Sequence, residues 1–213
     1  MMKKVIYSVL SLGLAGHLAG CASSMYHYRA DYDYAIKSAK VNHNAMPLPE
    51  AKSLSYKDDW LEIAFLPGSD GVYVQLLNQA QQNLHVVWNQ SVIIHEHRAL
   101  QVFHNGVKFS EATDFMPNSV LPPGTLIEDK IAPSSYVKYD SPTQYSSGGW
   151  VQQRIMDKHY TRAPRQDYEK FKAAVESLAG QELYGLMLTL EKGNEVRTYQ
   201  FDFEIASAKV FEL

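Results

Sequence analysis

The sequence predicts a mainly β protein, an antiparallel β-sandwich with one helix in its C-terminal half. Three observations carry that expectation. From Trp60 onward, apolar runs of strand length alternate with turn residues such as Pro67-Gly68-Ser69-Asp70-Gly71. Near the end of the chain Tyr199, Phe201, Phe203 and Ile205 alternate with Gln200, Asp202 and Glu204, the period of a strand with one dry and one wet face. A single segment departs from this rhythm, placing Tyr168, Phe171, Val175 and Leu178 at helical spacing.

Taken in order, the chain opens with Lys3 and Lys4, an apolar run from Val5 to Gly16, and small residues leading to Cys21. A charged start, a short apolar middle and a small-residue cut site read as a secretory signal peptide over residues 1–20. The run is about a dozen residues, too short to cross the roughly 30 Å hydrocarbon core as a helix. Residues 21–58 read as a tether and lead-in. Within them Tyr26-His27-Tyr28 and Asp31-Tyr32-Asp33-Tyr34 space tyrosines by two, which suits a short strand, an extended arm at the membrane surface, or a linker. Ala45-Met46-Pro47-Leu48-Pro49 cannot be a helix interior, so the boundary falls near it and residues 59–213 form the sandwich domain.

Within that domain Trp60 to Leu66 is a strand closed by the Pro67–Gly71 turn cluster, and Val72, Val74 and Leu76 alternate in the next. Leu84 to Ile94 reads as the longest strand, with a bulge at Asn89-Gln90-Ser91. Past the tip Glu96-His97-Arg98, Leu100 and Val102 return as its hairpin partner. Residues 104–124 form a long connection holding Asn105-Gly106, Pro117 and Pro122-Pro123-Gly124. Thr125 to Ile131 is a strand stopped at Pro133, and Trp150 to Met156 an edge strand. The helix lies near 164–179, with Pro164 in its first turn and Gly180 at the C′ position. Its acidic polar face (Asp167, Glu169, Glu176) suits a core-covering helix better than one lying on anionic lipid. Leu186, Leu188 and Leu190, then the turn Lys192-Gly193-Asn194, complete a hairpin with the alternating last strand.

Leu18-Ala19-Gly20-Cys21 resembles the lipobox of bacterial lipoproteins. That resemblance implies cleavage between Gly20 and Cys21, and acylation of Cys21, with palmitate among its chains. It also implies anchoring in membrane lipid of the cell envelope. Ala22 and Ser23 follow the cysteine, without the aspartate that retains such proteins at the inner membrane, which implies the outer membrane, facing the periplasm. One acyl chain holds a protein marginally and several hold it stably. Cys21 is the sole cysteine; once it is acylated, neither a disulfide nor a cysteine-based metal site is expected. The segment from Gly71 through Pro133 is similar to the immunoglobulin-like modules of envelope lipoproteins, carried by Val87-Trp88-Asn89 and Leu121-Pro122-Pro123-Gly124. This second resemblance bears on fold only.

The formal net charge is −3 at pH 7, and losing Lys3 and Lys4 with the leader makes the remainder more acidic. Nucleic acid is not an expected partner, because phosphate binding needs clustered Lys and Arg. His95-Glu96-His97 is the sharpest candidate metal motif, since histidines spaced by two on a strand point the same way and can share a zinc. A catalytic site needs a third ligand. With a loop at His97-Arg98, His104 lies about four residues along the strand from His95, too far at roughly 3.4 Å each. Ser135-Tyr136-Val137-Lys138 fits S-x-x-K, but K-T-G and S-D-N are absent, as are G-x-S-x-G, a P-loop and a dinucleotide fingerprint. Asp202 and Glu204 share a strand face and read as solvated. The expectation is a membrane-anchored, non-catalytic module without cofactor, binding or supporting another envelope protein or a cell-wall partner. The alternatives are a metal-dependent hydrolase at His95 and His97, and a small-ligand carrier with an apolar pocket.

Overall fold

The computed structural model describes residues 25–47, 54–105, 107–111, 115–155 and 160–213. The lipobox Leu18-Ala19-Gly20-Cys21 lies outside them. The described chain is mainly β, with fifteen strands and one α-helix. The first half contains β1 (Met25–Val41), β2 (Asn44–Met46), β3 (Ser55–Lys57), β4 (Leu61–Gly68), β5 (Gly71–Asn78), β6 (Leu84–Val86), β7 (Val92–His95) and β8 (Arg98–His104). The second half contains β9 (Ser119–Leu121), β10 (Leu126–Pro133), β11 (Val137–Asp140), β12 (Gly149–Gln152), β13 (Tyr160–Pro164), α1 (Tyr168–Glu176), β14 (Glu182–Lys192) and β15 (Glu195–Glu212).

One antiparallel sheet runs β13-β1-β15-β14-β7-β8-β10-β5-β4-β3, with β2 on β1, and β6 joining β14 to β9. It curls until its two halves face each other like a sandwich. The apolar face of β15 meets β3 and β4: Phe201 lies 4.7 Å from Phe65 and 5.3 Å from Tyr56, and Phe203 lies 5.1 Å from Phe65, measured between ring centroids. The alternation of the last strand therefore builds the seam between layers. Tyr184 of β14 pins the same seam, donating to the Gly71 carbonyl at 2.8 Å and accepting from the Gly68 amide at 3.2 Å. Gly68 and Gly71 close the two-residue turn between β4 and β5. A side chain at Gly71 (φ 144) would put its Cβ 2.4 Å from the Ile131 carbonyl oxygen, so that position requires glycine.

Several expectations need correction. Residues 25–41 are not a tether but a full strand, paired with β15 from Tyr28↔Glu212 to Val41↔Tyr199 and burying Tyr28, Ala30, Ala35, Ile36 and Ala39. The described sheet thus already includes residues 25–41, ahead of residue 59. Two register shifts, at Asp33/Tyr34 and at Ile36/Ser38, break the period of two, so no single alternation marks the buried face. The run Leu84–Ile94 is two strands rather than one, interrupted by a 3-10 turn at Trp88–Gln90 in place of a bulge. Both pieces pair with β14. Across the break, the Ser91 hydroxyl donates to Val87 O and accepts from Thr189 N, while the Thr189 hydroxyl donates to Gln90 O. The tip of the β7–β8 hairpin is Glu96-His97 (φ 49 and 62), which pairs His95 with Arg98. Positive φ at both central residues is the geometry of a tight two-residue turn.

The long connection after β8 contains β9, and its Met116 is clasped by the Asn89 side chain, which donates to Met116 O at 2.5 Å and accepts from Met116 N at 3.2 Å. The helix expected near 164–179 is shorter, Tyr168–Glu176: Pro164 ends β13 rather than opening the helix, and a 3-10 turn at Arg165–Asp167 leads into α1. Gly180 (φ 78) follows the helix and donates to Ile205 O, which ties the helix end to β15. Tyr168 and Phe171 of the helix cover Tyr28, with ring centroids 5.0 and 6.0 Å away.

Candidate functional site

The histidines singled out in the sequence do not converge. His95 ends β7, where its Nδ1 lies 3.0 Å from the Tyr136 hydroxyl. His97 occupies the exposed turn, so the two do not share the side of one strand. Both border an open cleft of about 380 Å³ with Glu96 and Glu182. Glu182 is already paired with Lys37 at 3.1 Å. Among the described residues no group of three or more His, Cys, Asp or Glu side chains is arranged to hold a metal. In the S-x-x-K match Ser135 is exposed, and Lys138 pairs with Asp140 at 3.2 Å on the same strand.

His104 is not a partner of His95 but of Asp129. Its Nδ1 lies 2.9 Å from Asp129 Oδ2, and its ring stacks on Trp88 at 4.3 Å. Asp129 Oδ1 also accepts the amides of Asn105 (2.7 Å) and Lys130 (2.8 Å), and Trp88 Nε1 donates to Ser119 Oγ at 2.8 Å. The cluster sits where β10 leaves β5 to pair with β8. A carboxylate holding an imidazole by one nitrogen is a geometry general bases use. Here the nearby hydroxyl already accepts from the indole, and the bonds tie three segments together. Nothing in the local sequence announces this pair, because twenty-five residues separate its members and only the β8–β10 register brings them together.

A second ionic cluster lies beside the β14–β15 turn. Arg197 binds Asp59 through both of its terminal nitrogens (2.5 and 3.0 Å) and passes 4.2 Å from the centre of the Trp60 ring. Lys192 approaches the same ring at 4.4 Å. Asp58 caps the Trp60 and Leu61 amides and accepts from the Tyr199 hydroxyl at 2.9 Å. Its hydrogen bond from Arg197 holds the Asp59 carboxyl below the usual carboxylate value, and burial pushes the Tyr199 phenol up. Every charge here has a partner within the chain, which makes the cluster a clasp on the loop before β4. Asp202 is likewise not simply solvated: it accepts from Ser38 Oγ (2.5 Å) and Gln200 Nε2 (2.9 Å), opposite Gly185, where a Cβ would lie 2.7 Å from it.

What remains available to a partner is surface. The outward face of β4, β5 and β10 forms a cleft of about 520 Å³ bordered by Leu66, Tyr73, Gln75, Glu128 and Lys130. Beside the β4–β5 turn stands the separate two-stranded sheet β11–β12, held there by Gln152 donating to Asp70 O and by the Ile155 amide on Ser69 O. On it Tyr139 and Trp150 are cross-strand partners 5.6 Å apart, both exposed, and Tyr145 at its turn is 90% exposed. The sequence marks Trp150 as part of an edge strand but does not reveal its partner β11, since Val137–Asp140 carries only two apolar residues in four. No protein-family model matches the chain, and neither a curated protein nor a solved structure matches it.

Proposed function

We propose that this chain is an envelope lipoprotein anchored through acylated Cys21, whose sandwich-like domain binds or supports another envelope component without catalysis. The observation that carries the reading is Leu18-Ala19-Gly20-Cys21 behind Lys3-Lys4 and a short apolar run. The outer membrane facing the periplasm is the proposed location, from Ala22-Ser23 after the cysteine. Two further features favour a binding role. The charged clusters are internally paired, and the exposed aromatic pair Tyr139–Trp150 stands on a small sheet outside the main one. Aromatic side chains on a firm scaffold supply contact area at little entropic cost.

Detergent-phase partitioning of the parent and of Cys21→Ser tests the anchor. Parent protein should enter the detergent phase carrying acyl mass on Cys21, and the variant should stay aqueous; equal partitioning of both would sink the lipoprotein reading. A photo-crosslinking residue at Trp150 should then give a discrete adduct with an envelope protein or cell-wall fragment in native membranes. A residue at Gln81, on the exposed β5–β6 connection, serves as control. Identical patterns from both positions would remove the aromatic sheet as the contact surface.

A further inference from the structure

Resting on the lipoprotein reading above, we propose that the domain stands end-on to the bilayer. Its contact surface with the lipid headgroup layer is the end formed by the start of β1, β13 and the last residues of β15. Only Ala22, Ser23 and Ser24 separate Cys21 from Met25, where β1 begins. Four Cα steps reach at most about 14 Å fully extended. β15, by contrast, is a strand of 18 residues, a contour of about 60 Å at roughly 3.3 Å per residue. The anchor is therefore much shorter than the body it holds, and the body is held by one end.

That end has the chemistry of a membrane interface. β13 flanks β1 there from Met25↔Pro164 to Arg29↔Tyr160, and β15 flanks it on the other side up to Glu212. The Arg165 guanidinium lies 5.7 Å from the centre of the Tyr26 ring, and that of Arg29 lies 5.7 Å from the Phe211 ring, which is 43% exposed. Aromatic rings paired with long cationic side chains suit the boundary where apolar and wet surroundings meet. Arg29 also donates to Asp31 at 2.9 Å, and Glu212 is close by, so seating does not depend on anionic lipid. The opposite end differs in exposure: its β14–β15 turn is Gly193-Asn194, with Gln82 beside Gly193, and its cation-paired ring, Trp60 under Lys192 and Arg197, is 0% exposed.

The sole native cysteine is consumed by the anchor, so one added thiol gives one label site. Full-length chain expressed with its leader, and shown by intact mass to be acylated, is reconstituted in phosphatidylcholine vesicles containing a headgroup-labelled quencher lipid. Glu212→Cys and Asn194→Cys carry the fluorophore in separate preparations. Glu212 is distant from Cys21 in sequence, so quenching there reports where the fold sits. The expected result is loss of fluorescence at 212 and none at 194. With Tyr26→Ser and Phe211→Ser added, quenching at 212 should weaken; unchanged quenching would assign the placement to the short tether alone and overturn the contact surface. Equal quenching at 212 and 194, or more at 194, on acylated protein overturns the end-on seating while leaving the lipoprotein reading intact. Absence of acyl mass on Cys21 overturns both.

Discussion

Replacing Phe201 by alanine is the most direct test of how the two halves of the sheet are joined. The ring is 1% exposed and sits at the seam, with Phe65 at 4.7 Å and Tyr56 at 5.3 Å from the opposing layer. Its strand neighbours are Ala39 on β1 and Leu186 on β14, both held in ladders that resist collapse into the space left behind. Deleting a buried Phe side chain costs about 3–5 kcal/mol when the site relaxes only partly. Each ring pair that the substitution breaks is worth about 0.5–1.5 kcal/mol beyond area burial, which places this site in the upper half of that range. For a domain of this size about 2–4 °C of melting temperature accompanies each kcal/mol, so the midpoint should fall by roughly 8–20 °C. Phe211→Ala, on the same strand but 43% exposed, is the control: its ring chiefly serves the Arg29 guanidinium, and removing it should cost about 0.5–1 kcal/mol. Urea denaturation followed by tryptophan fluorescence measures both. A Phe201→Ala cost below about 1 kcal/mol, or one no larger than that of Phe211→Ala, would mean that the ring does not bridge the layers and that the seam argument fails.

A fragment of residues 59–213 should lack a cooperative melt, whereas a chain beginning at Met25 should have one, because the fragment bares the long edge of β15 that β1 covers; a sharp transition in the fragment by circular dichroism would restore the shorter domain. Alkaline pH should destabilise the fold: burial raises the phenols of Tyr34 and Tyr56 from 10.0 to about 12, so stability is intact below about 10 and is lost as pH rises from there through the folded value. Phenolate absorbance that rises in step with unfolding supports this, and full ionisation of all tyrosines in folded protein refutes it. The double change His95→Ala, His97→Ala should cost about 0.5–1.5 kcal/mol, the worth of the His95–Tyr136 hydrogen bond. Elemental analysis showing one zinc per chain, absent from that double variant, would instead move a metal-dependent hydrolase to first place.

The sequence by itself determined the features that arise from neighbours in the chain. Among them are the alternation of β15, the helical spacing of Tyr168, Phe171 and Val175, and the paired glycines around Ser69-Asp70. Each follows from covalent geometry or from a period of two or 3.6, which needs no distant partner. The tertiary structure alone decided what depends on pairing across the chain. β1 is not legible as a sheet strand because its two register shifts scatter the apolar residues over both faces, and only β15 shows which face is buried. The run from Leu84 to Ile94 looks continuous, yet it breaks at Trp88–Gln90, where Ser91 and Thr189, ninety-eight residues apart, bond across the break. Counting along one hairpin rightly separates His104 from His95, but it cannot supply the actual partner, Asp129, which lies on a strand that no such count includes. Side-chain chemistry and local period are written in the sequence. Register between distant strands is settled by which pairing buries the most apolar surface while leaving the fewest backbone groups unpaired, and that is a property of the whole fold.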